Sequence, residues 1–386
     1  MIRKAYKYSI YPNTRQREYF AKVFGCVRFF YNKSLSDMCE IYKSTGKFEN
    51  IIPARYKGDY PFLKEVDSLA LCNAQINRNM AFKSFFKKQN SFPNYKSKRN
   101  DQSYTNNNKK GSLKFSNNDR YISIPKCPRI KIKKHRNFFG EIKSLTVSNT
   151  TDEKYYISLL VEEETESINL MDNAIGLDLG IKDLIIDSNG NKYKNHKYLT
   201  KSQKKLSREQ RKLSHMVKGS NNRNKQRIKV AKLHKKIENQ RNDYLHKLSK
   251  KIIDENQIIC IEDLKVKNVE QNHKLARSIS DASWSRLVSM LLYKASWYGN
   301  IVVKVPSNYP SSQLCHACGY QNKEVKNLEI RKWTCPKCGT VLDRDINASK
   351  NILSKGIEIL TKDGAHPDSL FMLGSLESSI KKPQLL

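Results

Sequence analysis

Four cysteines and three widely separated acids carry the chemistry that can be read from this chain. Cys315 and Cys318, then Cys335 and Cys338, form two Cys-x2-Cys pairs with sixteen residues between them. That spacing suits a four-thiolate zinc site. Gly319 and Gly339 follow the two pairs directly, where a tight knuckle needs a residue free to adopt positive φ. With four thiolates the site is closed, so a bound ion would be structural and not catalytic. A redox dithiol is the competing reading, but one Cys-x2-Cys pair would suffice for it. His316, inside the first knuckle, is expected to be exposed and not a ligand.

Asp178 sits inside the near-continuous apolar run Ala174–Ile181, and Glu262 ends a second run, Ile258–Ile261. A carboxylate so placed costs about 3–5 kcal/mol if it is buried without a partner. A nearby lysine or a metal ion would satisfy it. Two such acids on neighbouring strands repel unless a cation lies between them. Hard oxygen ligands select Mg²⁺ or Mn²⁺ over zinc. The third acid comes from the string Asp343-Arg344-Asp345-Ile346-Asn347-Ala348. Asp345 is the candidate and Asp343 the competitor, and either can also cap the amphipathic helix that follows. Three acids together could hold two divalent ions about 3.5–4 Å apart, an arrangement that hydrolyses phosphodiesters. Gly176-Leu-Asp-Leu-Gly180 lies within a strand and lacks the spacing of a dinucleotide fingerprint.

Composition narrows the partner. The chain has 386 residues, enough for two or three domains, and carries 72 Lys+Arg against 37 Asp+Glu, a formal charge of +35. Such a balance calls for a polyanion, and nucleic acid is the natural one. There is no apolar run near membrane-span length and no signal-peptide pattern after Met1, so a cytoplasmic protein without a membrane partner is expected. The nine cysteines are an odd number, which argues against a disulfide framework. Cys26 and Cys260 read as small core residues.

The elements that must position these groups follow from periodicity. Ile2, Tyr6, Tyr8 and Ile10 alternate with polar residues as a strand does. After Pro12, Asn13 and Gln16 have capping-box spacing, and Phe20, Val23, Phe24, Val27, Phe30 and Tyr31 recur as a helical stripe. Helix continues through about Phe86, and 92–99 reads as an exposed basic loop. Short β-type runs follow at Leu113–Phe115, Tyr121–Ile124, Ile130–Ile132, Ile142–Val147 and Tyr155–Val161. With the first strand they predict a small antiparallel barrel interrupted by helices. From Ala174 a hairpin turning at Ser188-Asn189-Gly190, two basic helices broken near Gly219–Asn224, a strand, a helix at Ser283–Tyr298 and a strand at Ile301–Val305 predict an α/β sheet. Residues 201–251 hold eighteen Lys/Arg and three acids.

Taken together these strings resemble the TnpB family, the RNA-guided nucleases of insertion sequences related to type V CRISPR effectors. The resemblance rests on Gly176-Leu-Asp-Leu-Gly-Ile-Lys-Asp183, Ile261-Glu-Asp-Leu264, Asn272-His-Lys-Leu-Ala-Arg-Ser278, Tyr293-Lys-Ala-Ser-Trp-Tyr-Gly299, Pro310-Ser-Ser-Gln-Leu-Cys-His-Ala-Cys-Gly319 and Asp343-Arg-Asp-Ile-Asn-Ala348. Ala81-Phe-Lys-Ser-Phe-Phe86 and Phe92-Pro-Asn-Tyr-Lys-Ser-Lys98 fit it as well. The resemblance implies an RNase H-like (RuvC) nuclease domain over 169–306 and 341–357, with a zinc ribbon at 307–340. It also implies an oligonucleotide-binding-type barrel (the wedge) over 1–12 and 113–168, a helical recognition lobe over 13–112 and a tail at 358–386. Asp178, Glu262 and Asp345 would be the catalytic Mg²⁺ ligands, with Mn²⁺ able to substitute, and the four cysteines would hold zinc. A guide RNA from the element's end would select double-stranded DNA beside a short adjacent motif. Asn73, Lys96, Tyr104 and Thr105, on the lobe and a loop reaching 104–105, are the candidates to read that motif. A transposition accessory protein, a nuclease-silent guided DNA binder and a strand-transferring transposase are the alternatives.

Overall fold

The computed structural model describes residues 1–109, 111–116, 118–164, 173–264, 281–327 and 329–362. The motif Asn272–Ser278, the domain boundary at 168/169 and the tail beyond 362 lie outside the described residues. The chain divides into two compact units, Met1–Glu164 with Gly219–Lys232, and Thr165–Lys218 with Leu233–Leu386.

In the first unit, strand β1 (Ile2–Tyr11) leads into helix α1 (Thr14–Thr45), and helix α2 (Ser68–Phe86) follows. The capping box forms as expected: Asn13 Oδ1 accepts the Gln16 N–H at 2.9 Å and Gln16 Oε1 accepts the Asn13 N–H at 3.0 Å. The apolar stripe of α1 is buried from Phe20 to Met38. Six more strands complete a seven-stranded antiparallel sheet: β2 (Gln102–Asn107), β3 (Lys114–Phe115), β4 (Tyr121–Ile124), β5 (Cys127–Lys133), β6 (Glu141–Asn149) and β7 (Tyr155–Glu163). Their order is β2-β6-β7-β1-β5-β4-β3. Tyr8, Ile122, Ile130, Leu145, Ile157 and Leu159 from the sheet share one core with Phe20, Val27 and Phe30 of α1.

One difference from expectation lies at the edge of this sheet. Residues 102–107, read as part of a loop inside the helical span, are the edge strand β2, paired with β6 from Gln102–Asn149 to Asn107–Ser144. Tyr104 and Asn106 point inward and are buried. Asn106 is held there by donating to the Asp67 carboxylate, which also caps α2 by accepting the Leu69 N–H. The strand was illegible because its alternation is written in Gln, Ser, Thr and Asn, not in aliphatic residues.

In the second unit, β8 (Ala174–Leu179), β9 (Asp183–Asp187) and β10 (Lys192–Lys194) are followed by the basic helices α3 (Tyr198–His215) and α4 (Asn221–Glu255), the last of which belongs to this unit from Leu233 onward. Then come β11 (Ile258–Glu262), α5 (Trp284–Tyr298) and β12 (Ile301–Val305). The short strands β13 (Lys332–Thr334) and β14 (Val341–Asp343) form a hairpin that runs into helix α6 (Arg344–Lys362). The main sheet has the order β10-β9-β8-β11-β12. β8, β11 and β12 are parallel, while β9 and β10 are antiparallel. The Asn-Gly signal is realised as a turn with Gly190 at φ 90°, closed by Asp187, whose carboxylate accepts the N–H groups of Asn189 and Asn191.

Apolar runs on the central strands are explained by helices on both faces. Ile175, Leu177, Ile259 and Ile261 pack against Leu245, Leu248 and Ile252 of α4 and Leu287 and Leu291 of α5. Ile258, Cys260, Val303 and Val305 face the other way, onto Ile352 and Ile357 of α6. Two glycines set how close α6 comes. A Cβ on Gly176 would lie 2.0 Å from the Ser349 carbonyl oxygen, and one on Gly356 would lie 2.3 Å from Cys260 Sγ.

Candidate active site and thiol cluster

Strand register alone brings two of the acids together. β8 and β11 run parallel with Cys260 opposite Gly176 and Ile261 opposite Leu177. Asp178 and Glu262 are each the next residue on, so they stand at one level of adjacent strands, about 4.8 Å apart across the ladder. Residues two apart share a face of a strand. Gly176 and Cys260 touch α6, so Asp178 and Glu262 point to that same side. There α6 begins, with Asp345 one turn before the Ser349 that rests on Gly176.

Electrostatics agrees with this convergence. Burial pushes the Asp178 carboxyl up to about 7, the negative charges of Asp345 and Glu262 push it the same way, and Arg344 opposes them. Burial also raises the Glu262 carboxyl. Asp178 therefore feels both other acids, although the three carboxylates do not close to within 4.8 Å of one another, as the four thiols do among the described residues. A pair of ions about 3.5–4 Å apart needs ligands spread more widely than one ion does.

Asp343 and Asp345 differ in what their carboxylates meet. Asp343 Oδ1 accepts the N–H groups of Asp345 at 3.1 Å and Ile346 at 3.2 Å, capping α6, and its Oδ2 accepts from Lys192 Nζ at 3.1 Å. Burial raises the Asp343 carboxyl, yet the Ile346 N–H, Lys192 and the Asp345 N–H hold it below the usual carboxylate range. Its oxygens are engaged as a cap. Asp345, freed from capping, is the one whose charge reaches Asp178, and its other near partner is Arg331 Nη1 at 3.4 Å.

The four cysteines converge as their spacing predicts. Cys315 Sγ lies 3.7 Å from Cys338 Sγ, and Cys318 Sγ lies 3.6 Å from Cys335 Sγ. Tetrahedral zinc–sulfur bonds of about 2.3 Å place sulfurs roughly 3.8 Å apart, so the cluster fits one ion. Gly319 and Gly339 turn the knuckles at φ 73° and 71°. The Cys338 thiol is drawn down to about 6 by hydrogen bonding with the Thr340 side chain and backbone. Val325, Trp333 and Leu342 make a small apolar core around Cys315 and Cys335. His316 is half-buried, not exposed, because Asn347 of α6 holds it.

The four residues named as motif readers are scattered in environment. Asn73 is on α2 and donates to the Leu69 carbonyl at 2.9 Å. Lys96 is exposed, with its Nζ 4.3 Å from the centre of the Tyr31 ring and its backbone held by Asn32 at both N–H and carbonyl. Tyr104 is a core residue, 3 % exposed, packed on Phe20 and Phe24. Thr105 projects from the opposite face of β2 and bonds Thr146 at 2.9 Å. Neither Arg331 nor Asn347 was among the expected site residues. Their positions, just before the second knuckle and two residues after Asp345, were the available signal.

Comparison with known proteins gives the chain its relatives. A family profile described as "Probable transposase" matches residues 157–273, and one described as "Cas12f1-like, TNB domain" matches 284–352. A Streptomyces pristinaespiralis protein named "Putative RNA-guided DNA endonuclease" is 35% identical over 367 residues, covering 92% of this chain and 90% of that one. The chain belongs to the TnpB family. Within that family an Escherichia coli K12 protein, named "Putative RNA-guided DNA endonuclease InsQ", is 31% identical over 92% of this chain and 93% of its own. The fold resembles the protein in the "Cryo-EM structure of the Cas12f1-sgRNA-target DNA complex", with a TM-score of 0.60 at 16% identity over 88% of this chain and 83% of that one. A profile described as "Helix-turn-helix domain" matches 1–47. In this fold that segment is a strand and one uninterrupted 32-residue helix.

Proposed function

We propose that this TnpB-family chain is an RNA-guided endonuclease that cuts double-stranded DNA beside a short adjacent motif. The observation that carries the reading is the convergence of Asp178, Glu262 and Asp345 at one end of the parallel strands, in a chain of charge +35. These acids are the catalytic residues of an RNase H-like (RuvC) domain and the ligands for Mg²⁺, or for Mn²⁺ in its place. Divalent ions bound there would activate water and neutralise the leaving oxygen during phosphodiester hydrolysis. Asp178, whose carboxyl is pushed up to about 7, must shed its proton to act as a ligand, and Arg344 favours the ionised form. The thiol cluster holds a structural zinc.

The seven-stranded sheet serves as the wedge and α1–α2 as the recognition lobe. Lysines and arginines of α3 and α4 track phosphates without reading bases, leaving sequence choice to guide pairing. The guide derives from the end of the insertion sequence. The test is to purify the chain from cells carrying its flanking DNA, sequence the bound RNA, and add DNA matching its variable end. The proposal expects one discrete RNA species and Mg²⁺-dependent breaks only in matching DNA. Guided binding without cutting in Mg²⁺ or Mn²⁺ would favour a DNA-binding regulator, and joined ends would indicate strand transfer.

A further inference from the structure

Helix α6 carries two buried amides just past Asp345, and both reach out of the helix into the thiol-bearing segment. Asn347 is 1 % exposed and Asn351 5 %. Asn347 Oδ1 accepts the His316 backbone N–H at 2.9 Å and lies 3.0 Å from His316 Nδ1, while its Nδ2 donates to the Leu314 carbonyl at 2.6 Å. Asn351 Nδ2 donates to the same carbonyl at 2.7 Å and to the Ser311 carbonyl at 2.7 Å. Leu314 and His316 flank Cys315, so these bonds grip the first knuckle on both sides of its first thiol. The strand side of the ribbon is tied to the same helix start: the Arg344 N–H donates to the Arg331 carbonyl at 2.9 Å, and Arg331 pairs with Asp345. A side-chain amide accepts from a backbone N–H through its oxygen and donates to a backbone carbonyl through its nitrogen at once. The helix thus meets the knuckle with matched polar groups, where a helix that merely packed would present apolar ones.

We infer that Asn347, backed by Asn351, is a positioning residue that locks the thiol knuckle to the start of α6. The ribbon thereby fixes where Asp345 stands relative to Asp178 and Glu262. The ribbon is then a part of the acid site's geometry and not an independent module. This rests on the proposed nuclease site. A group that orients a ligand from outside the coordination shell typically alters metal affinity by about 10–100-fold when removed.

The test uses the full chain loaded with its guide RNA, Mn²⁺ as the probe ion read by the spin resonance of free Mn²⁺, and zinc content measured per chain. The N347L variant is expected to keep one zinc and its RNA, to bind Mn²⁺ roughly tenfold or more weakly, and to need correspondingly more Mg²⁺ for half-maximal cleavage. The N347D variant, which keeps the acceptor and loses the donor, should fall between N347L and wild type. Zinc retained with Mn²⁺ affinity unchanged in either variant overturns the positioning role. Should N347L lose its zinc, N347D decides in the same way, and loss of zinc in both assigns the amides to ribbon stability alone. Wild-type protein showing no Asp178-dependent Mn²⁺ binding would instead remove the acid site itself.

Discussion

Asp178 is the residue at which sequence, burial and charge meet, and its titration gives a signed prediction. Its carboxyl stands near 7 in the folded chain against 3.8 for the free group. Without divalent ions, the stability it contributes is fully present below about pH 4 and is lost as pH climbs through about 7. Thermal melts of zinc-loaded protein without Mg²⁺ should therefore find D178N more stable than wild type at pH 8, with the difference gone near pH 4. Adding Mg²⁺ should raise the melting temperature of wild type and leave D178N unmoved. A wild-type chain indifferent to pH over that interval would contradict the burial and charge crowding described at Asp178. Asp178 and Glu262 were legible because carboxylates interrupt or end apolar runs, and the thiols because their spacing is specific. The choice between Asp343 and Asp345 was not legible. It depends on which carboxylate folds back onto the first N–H groups of α6, and both sequence positions permit that.

At the scale of elements, the site depends on how closely α6 lies against β8 and β11. Gly176 has no room for a side chain, since its added Cβ would meet backbone of α6 at Ser349 and Leu353. Replacing Gly176 with valine should destabilise the chain by about 1–3 kcal/mol or more, measured by urea unfolding. Cleavage should fall further than stability does, because Asp345 moves with the helix. The ribbon gives a second element-scale prediction. Cys315→Ser should lose zinc and expose Trp333 to solvent, seen as a shift in its emission, whereas Cys39→Ser should do neither. Most elements were legible from periodicity, including the strands at Tyr121–Ile124 and Ile301–Val305, whose bounds match. Period-two and period-3.6 patterns of large aliphatic and aromatic residues mark them plainly. β2 escaped because its inward residues are Tyr104 and Asn106, the latter kept in the core by Asp67, and such pairing across 39 residues leaves no local signature. The ties between ribbon and helix escaped for the same reason.

At the scale of the whole molecule, charge acts together with parts that are useless singly. The excess of 35 positive charges is spread over the chain, so binding to its RNA should weaken steeply with salt, by orders of magnitude between about 50 and 200 mM. A shallow salt dependence would contradict backbone tracking by α3 and α4. The candidate acids, the two thiol pairs and the basic helices are all visible in the sequence. What the sequence could not supply was their arrangement, which comes from parallel register, two close-approach glycines and a helix cap.

The most direct measurement is cleavage of guide-matched DNA by the RNA-loaded chain carrying D178A, E262A, D345A or D343A, with target binding measured alongside. The first three variants should bind RNA and target normally while cutting falls roughly a thousandfold or more, and D343A should keep substantial activity. Wild-type cutting by any of the first three, or full dependence on Asp343 with Asp345 dispensable, would contradict it.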